Sequence, residues 1–312
     1  MSKTIYITEP IDERALEVLP EEGYNVVLPG DEPDDWDTIE AIVVRGQVQV
    51  DRSMMDRCSN LRVIVRNGVG VNNIDVEYAT EKGIQVLNVP GVNAATVAEH
   101  TLGLMLLIVR GMYRLIREVK QDNYDYRQEY KGHELRKLTL GLIGKGDIGS
   151  RVAESAAVFG MDVIYTSRSE GDRSEGYRSM DELLAKADVI SLHLPLTDES
   201  RGTINEAALG KMKSGSYLIN TARAEIVEEK PLLAALESGK LAGYASDLMV
   251  KGDEDTVRQL VNHDRVLITP HAASLTELTY YELSERGLRH VKEFLAGKKM
   301  EEVYRVNEVA NH

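Results

Sequence analysis

LTLGLIGKGDIGSRVAESAAVFG, residues Leu138–Gly160, reads as an apolar strand, a glycine turn and a helix in direct succession. Within it, Gly144-Lys145-Gly146-Asp147-Ile148-Gly149 has glycines at the first, third and sixth positions. The first permits a tight turn, the second lets backbone approach a pyrophosphate, and the third allows close helix–strand packing. The helix N-terminus that follows attracts negative charge. In such a fingerprint an acid roughly 20 residues on binds the ribose 2′-hydroxyl of NAD. Here the tip of the next strand reads Tyr165-Thr166-Ser167-Arg168-Ser169, with no carboxylate. A guanidinium and hydroxyls suit a 2′-phosphate, and Arg173 can assist from the loop beyond. The expected cofactor is therefore NADP, with NAD as second choice. Asp147 is an awkward neighbour for phosphates, and Lys145 is the residue placed to offset it.

Outward from this motif, short β-branched runs alternate with helical patterns along nearly the whole chain. Before it come TIYIT (Thr4–Thr8), YNVVLP (Tyr24–Pro29), AIVVRG (Ala41–Gly46), RVIVRNG (Arg62–Gly68) and IQVLNVP (Ile84–Pro90). After it come DVIYTS (Asp162–Ser167), DVISLHLP (Asp188–Pro195), GSYLINTA (Gly215–Ala222), YASDLM (Tyr244–Met249) and VLITPH (Val266–His271). Near-continuous apolar runs mark strands buried on both faces of a parallel sheet, so the class is α/β. Long helical patterns near Asn93–Lys120 and Leu275–Gly297 are placed to carry the chain out of one domain and back. A chain of 312 residues, 43% apolar and 28% charged, is large enough for two domains.

Composition excludes several functions. With 37 Lys and Arg against 51 Asp and Glu, the net charge of −14 repels nucleic acid and anionic lipid. The single cysteine, Cys58, excludes a disulfide framework and a cysteine zinc site, and the histidines show no metal spacing. The N-terminal MSKTIYITEP lacks the apolar core of a signal peptide, and no apolar run is long enough to span a bilayer. The expectation is a soluble cytoplasmic protein.

Two further strand ends carry reactive groups. Asn220-Thr221-Ala222-Arg223 and Thr269-Pro270-His271 bring an arginine and a histidine to the carboxyl edge of a sheet, where ligands bind in such folds. Reducing a ketone by hydride needs a proton for the developing alkoxide, which a histidine near neutral pKa donates. It also needs a cation to grip a carboxylate and polarise the carbonyl, which suits arginine.

With these pieces in order, the chain resembles the D-isomer-specific 2-hydroxyacid dehydrogenase family from end to end. The matching stretches are Val65–Gly91, Asn93–Arg110, Leu138–Gly149, Ile190–Asn205, Met212–Arg223 and Val266–Ser274. The resemblance implies two Rossmann-like, doubly wound parallel-sheet domains. A dinucleotide domain (99–281) would be inserted in a substrate domain (1–98 and 282–312), usually within a homodimer built on the long connecting helix. No amino-acid-sensing extension follows, so the short form is expected. By that resemblance Arg223 holds the carboxylate and carbonyl of a small 2-keto acid, His271 is the acid–base group and Asp247 contacts the nicotinamide carboxamide. Thr96, Pro195, Thr197, Thr221 and Ala222 fall on the cofactor side. The loop Asn67-Gly68-Val69-Gly70-Val71 presents N–H groups to the carboxylate, and Arg45 stands where a substrate's distal anion can meet a second cation.

Two departures stand out. The family's glutamate, five residues after the nicotinamide aspartate and paired with the histidine, is replaced by Gly252. Either Asp253 or Glu254 reaches the histidine by a register shift, Glu254 being the catalytic candidate, or no carboxylate does. A lost partner would move activity to lower pH or weaken it. Ala224-Glu225 also stands where two glycines are usual. Two functions follow: an NADPH-dependent 2-keto acid reductase, or a nicotinamide-binding sensor or interaction dimer with weakened chemistry. Among the other histidines, His100 is read as interdomain packing and His193 as a hydrogen-bonded structural residue.

Overall fold

The computed structural model describes residues 2–20, 22–168, 174–248 and 252–309. In chain order the elements are β1 (Lys3–Ile7), β2 (Tyr24–Val27), β3 (Ile39–Val44), α1 (Arg52–Arg57), β4 (Val63–Arg66), α2 (Val76–Glu81) and β5 (Gln85–Asn88). There follow α3 (Ala94–Val109), α4 (Met112–Lys120), β6 (Thr139–Ile143), α5 (Asp147–Val158), β7 (Asp162–Thr166), α6 (Met180–Lys186) and β8 (Val189–Leu192). The last are α7 (Glu206–Lys211), β9 (Ser216–Asn220), α8 (Glu229–Glu237), β10 (Leu241–Ser246), α9 (Glu254–Asn262), β11 (Val266–Ile268) and α10 (Glu277–Leu295). Among the described residues no single helix is long and apolar enough to cross a membrane.

Two compact units result, Met1–Asn93 with Leu275–His312, and Ala94–Ser274. The breaks fall ahead of α3 and α10, whereas the sequence reading put them at 98/99 and 281/282, the second inside α10. That helix buries Leu283, Leu288, Val291 and Leu295, most of them in the core of the first sheet, so it goes whole to the first unit.

The first unit is a five-stranded sheet, β2-β1-β3-β4-β5, parallel throughout. Alternate residues feed opposite faces, as strand geometry requires. Ala41, Val43, Val63 and Val65 pack with Leu288 and Val291 of α10. Ile42, Val44, Ile64 and Val86 pack with Met55, Cys58 and Ala79 on the other side. The edge strand β5 is covered by the C-terminal segment. Val306 N–H donates to Val86 O at 3.0 Å, and Asn307 Oδ1 accepts from Val86 N at 2.7 Å and Gln85 Nε2 at 2.9 Å.

The second unit is a six-stranded parallel sheet, β11-β10-β9-β8-β6-β7. Ile143, Ile190, Leu192 and Leu218 face α6–α9, while Leu140, Leu142, Val189 and Ile219 face α3 and α5. The strand order reverses beside β6. The connections after β6 and β8 leave in opposite directions there, which opens the crevice where such sheets bind ligands.

Candidate active site

The glycine turn lies in that crevice. Gly144 has φ +96°, and a Cβ on it would stand 2.3 Å from His193 O. A Cβ on Gly149 would stand 2.5 Å from Gly144 O, so α5 can start this close to β6 only with glycine there. Gly146 caps α5 without a side-chain bond, and a Cβ there would meet nothing within 4 Å. The N-terminus of a twelve-residue helix is thus left open to an anion. Ile148 packs on the core beneath. The charge of Asp147 is met by Arg151, Nε to Oδ1 at 2.8 Å, one helical turn on. Lys145, expected in that role, instead places Nζ over the Tyr165 ring at 4.0 Å.

At the tip of β7, Ser167 and the exposed Arg168 leave the sheet. Arg168 Nη1 reaches Glu199 Oε2 at 3.4 Å, and the same oxygen accepts from Thr197 Oγ1 at 2.8 Å. Ser169 and Arg173 lie outside the described residues. Ser200 Oγ pins the turn after β8, donating to Pro195 O and accepting from Thr197 N, both at 2.7 Å. His193 packs on the glycine turn with Nε2 2.9 Å from Ser191 Oγ, and burial pushes its imidazole down to about 4.

Arg223, Asp247 and His271 follow β9, β10 and β11, neighbouring strands of one parallel sheet, so all three stand along one edge. The buried Asn220 fixes the first turn with both ends of its amide. Its Oδ1 accepts from Ala222 N at 3.0 Å and its Nδ2 donates to Arg223 O at 2.8 Å. Thr221 Oγ1 lies 2.9 Å from Thr101 Oγ1 on α3. Among the described residues, the hydrogen bond of the Arg223 guanidinium is to Ala222 O at 2.7 Å. Burial lowers its pKa, and the nearby Glu225 charge offsets this in part.

Asp247 is buried, and its carboxylate holds the loop after β11. Oδ1 accepts from Thr269 Oγ1 at 2.6 Å and Ala272 N at 2.8 Å, and Oδ2 from Ala273 N at 2.7 Å. Three of about four lone-pair sites are thereby engaged, which leaves one open on Oδ2 among the described residues. His271, within this loop and exposed, has φ 57°, in the left-handed region. His100 on α3 bonds Thr269 Oγ1 through Nε2 at 2.9 Å. Its described hydrogen bond is thus made inside the second unit.

Neither acid proposed for the Gly252 gap is set apart for a histidine by its surroundings. Asp253 caps α9, accepting from Thr256 N at 3.0 Å and Thr256 Oγ1 at 2.9 Å. Glu254 is exposed in the first turn of α9. Thr96 lies in the first turn of α3.

In the first unit, the buried Glu9 takes N–H bonds from Arg45 at 2.7 Å, Gly46 at 2.9 Å and Gln47 at 2.9 Å, and so sets the turn bearing Arg45. Arg45 stacks 5.2 Å from the Tyr280 ring and makes no ion pair among the described residues. The N–H groups of Asn67 and Gly68 already bond Val44 O and Arg66 O, both at 2.8 Å. Among the described residues, the N–H groups of Val69, Gly70 and Val71 make no such bond. Asn220, Glu9, Arg151 and Glu199 did not emerge from the sequence. Glu9 and Glu199 act on partners that only the folded backbone brings near, Asn220 acts two and three residues on, and a search for a basic residue four after Asp147 would have found Arg151.

Residues 102–273 match the family model described as D-isomer specific 2-hydroxyacid dehydrogenase, NAD binding domain. Over 281 residues the chain is 37% identical to a hydroxypyruvate reductase of Thermotoga maritima, covering 87% of this chain and 92% of that one. It spans 51–59% of several D-3-phosphoglycerate dehydrogenases, about half their length. The fold superimposes on D-lactate dehydrogenase from Aquifex aeolicus, complexed with NAD and lactic acid, with TM-score 0.84 at 31% identity, covering 98% of this chain and 100% of that one. It also matches an NADPH-dependent glyoxylate/hydroxypyruvate reductase from Sinorhizobium meliloti, in complex with NADP and malonate, with TM-score 0.84 at 25% identity, covering 98% and 97%.

Proposed function

Because the chain belongs to the D-isomer specific 2-hydroxyacid dehydrogenase family, we propose that it reduces a small 2-keto acid to the D-2-hydroxy acid, using NADPH in preference to NADH. The observation that carries this reading is Arg223. A half-buried guanidinium, with a single carbonyl acceptor among the described residues, is stabilised by an arriving carboxylate. Its two N–H edges hold the acid and polarise the keto oxygen. His271 donates the proton that the developing alkoxide takes up. The reduced nicotinamide, when bound, supplies the hydride. The open N-terminus of α5 suits its pyrophosphate, Gly146 leaves room for the backbone approach, and Arg168 with Ser167 would meet the 2′-phosphate. Asp247 keeps one oxygen site for the carboxamide. By the family resemblance the N–H groups of Val69 and Gly70 meet the carboxylate, and Arg45 favours a substrate with a second polar or anionic end, of the hydroxypyruvate or phosphorylated 2-keto acid kind.

We further propose a homodimer in the cytoplasm. Met112, Ile116 and Val119 line one exposed face of α4 at helical spacing, which a second copy would cover. The free, buried Cys58 suits a reducing compartment.

The test is loss of reduced-nicotinamide absorbance with NADPH and NADH in parallel. The acids are glyoxylate, hydroxypyruvate, pyruvate, phosphohydroxypyruvate and branched 2-keto acids, from acidic to neutral pH. Turnover with at least one, faster with NADPH, is the expected result. No turnover with any, in protein that binds NADPH, would overturn the enzyme and favour a nicotinamide sensor.

A further inference from the structure

The Thr269 hydroxyl has one proton, and the 2.6 Å contact with Asp247 Oδ1 takes it. In the 2.9 Å contact between His100 Nε2 and Thr269 Oγ1 the imidazole must then be the donor. That fixes a proton on Nε2 of His100 whether the ring is neutral or charged. The same nitrogen lies 3.6 Å from Asp247 Oδ1, so it faces both groups that shape the loop.

These two groups share the backbone bonds around His271 with two main-chain carbonyls. Its own N–H donates to Thr269 O at 2.9 Å. The N–H groups of Ala272 and Ala273 go to Asp247 at 2.8 and 2.7 Å. Thr269 N–H, at the start of the loop, is anchored on Ser246 O at 2.9 Å. His271 itself holds φ 57°, a conformation that a residue with a side chain keeps only where its surroundings impose it. The imposing network ends on a histidine that is 169 residues from Thr269 along the chain and on a helix of its own.

We propose that His100 is a positioning residue for the acid–base histidine. Its Nε2–H orients the Thr269 hydroxyl toward Asp247 and so holds the loop that presents the His271 imidazole. The inference rests on the reading of His271 as the proton donor. His100 touches neither substrate nor hydride in this role and acts only through Thr269 and Asp247.

The experiment compares His100→Gln with His100→Asn, beside wild type and His271→Ala, using the best 2-keto acid of the panel. The glutamine amide nitrogen falls near the position of Nε2, whereas that of asparagine falls near Nδ1 and stops short of Thr269. Both variants are polar and of similar size, and thermal melts report whether both fold. His100→Asn is expected to lose about tenfold or more in kcat, since a misplacement of roughly 1 Å costs up to about a hundredfold. Its KM for the acid and its NADPH dissociation constant should stay near wild type. His100→Gln should keep most of the wild-type kcat. Equal kcat in the two variants, whether both high or both low, overturns the proposal, because the donor at the Nε2 position would then not matter. Wild type without turnover, or His271→Ala with full turnover, would instead sink the reading beneath it, and the inference with it.

Discussion

A side chain at a strand end is useful only when its backbone is held, and in this chain the holding groups come from elsewhere. Asn220 clasps Ala222 and Arg223, and Asp247 clasps the loop of His271. At this scale two outcomes are expected. His271→Ala should lower kcat by about 10²–10⁴ while leaving NADPH binding within about twofold, because it removes proton transfer and nothing that touches the cofactor. Stopped-flow turnover and a fluorescence titration of NADPH check both halves, and retained kcat would remove the histidine from the mechanism. Arg168→Ala should raise the KM for NADPH by about tenfold and leave that for NADH nearly unchanged, since a charged hydrogen bond to the 2′-phosphate would be lost. Equal losses would mean the arginine does not read that phosphate. The candidates at strand tips were legible because a glycine turn or a Thr-Pro-His end is a local signal. Glu9 and the Thr269 contact of His100 were not, because a carboxylate or imidazole acquires meaning there only from partners far along the chain; Asn220 bonds only two and three residues on, yet nothing in the local sequence marks which backbone groups its amide takes.

Among the elements, the turn after β3 depends most on one group. Burial alone would raise the Glu9 carboxyl, but N–H bonds from Gln47, Gly46, Arg45 and Val48 together hold it below its ordinary 4.5. A carboxylate with a depressed folded pKa adds stability that is complete above 4.5 and is lost as pH falls through the folded value. Glu9→Gln should therefore lower stability at neutral pH by about 1–3 kcal/mol. It should also flatten the decline of the wild type below 4.5. Urea melts from acid to neutral pH measure both, and parallel pH curves for the two proteins would show that the clamp contributes nothing as an anion. Helix α9 makes the contrasting point. Asp253 looked from the sequence like a replacement acid, yet it caps the helix, because an aspartate immediately ahead of a first turn is a good N-cap, here bonding Thr256 three residues on.

For the whole molecule, strand–helix alternation made both sheets legible, and the apolar runs announced strands buried on two faces. The division was harder to place, because the helical pattern of α10 continues without a sequence mark through the point where the reading cut it. The apolar face of α4 leads to an expectation at this scale. Ile116→Glu should turn the proposed dimer into a monomer by light scattering, with the near-ultraviolet spectrum unchanged, and an unaltered mass would place the interface elsewhere. The split first unit also sets an order of events during synthesis. A ribosome that has delivered residue 274 has released a complete second unit, while β1–β5 still lack α10 on one face and Val306–Asn307 along the β5 edge. The inserted unit is thus the first able to finish, and the sheet begun earliest closes last. Until then its bare edge and face are what a chaperone would have to shield.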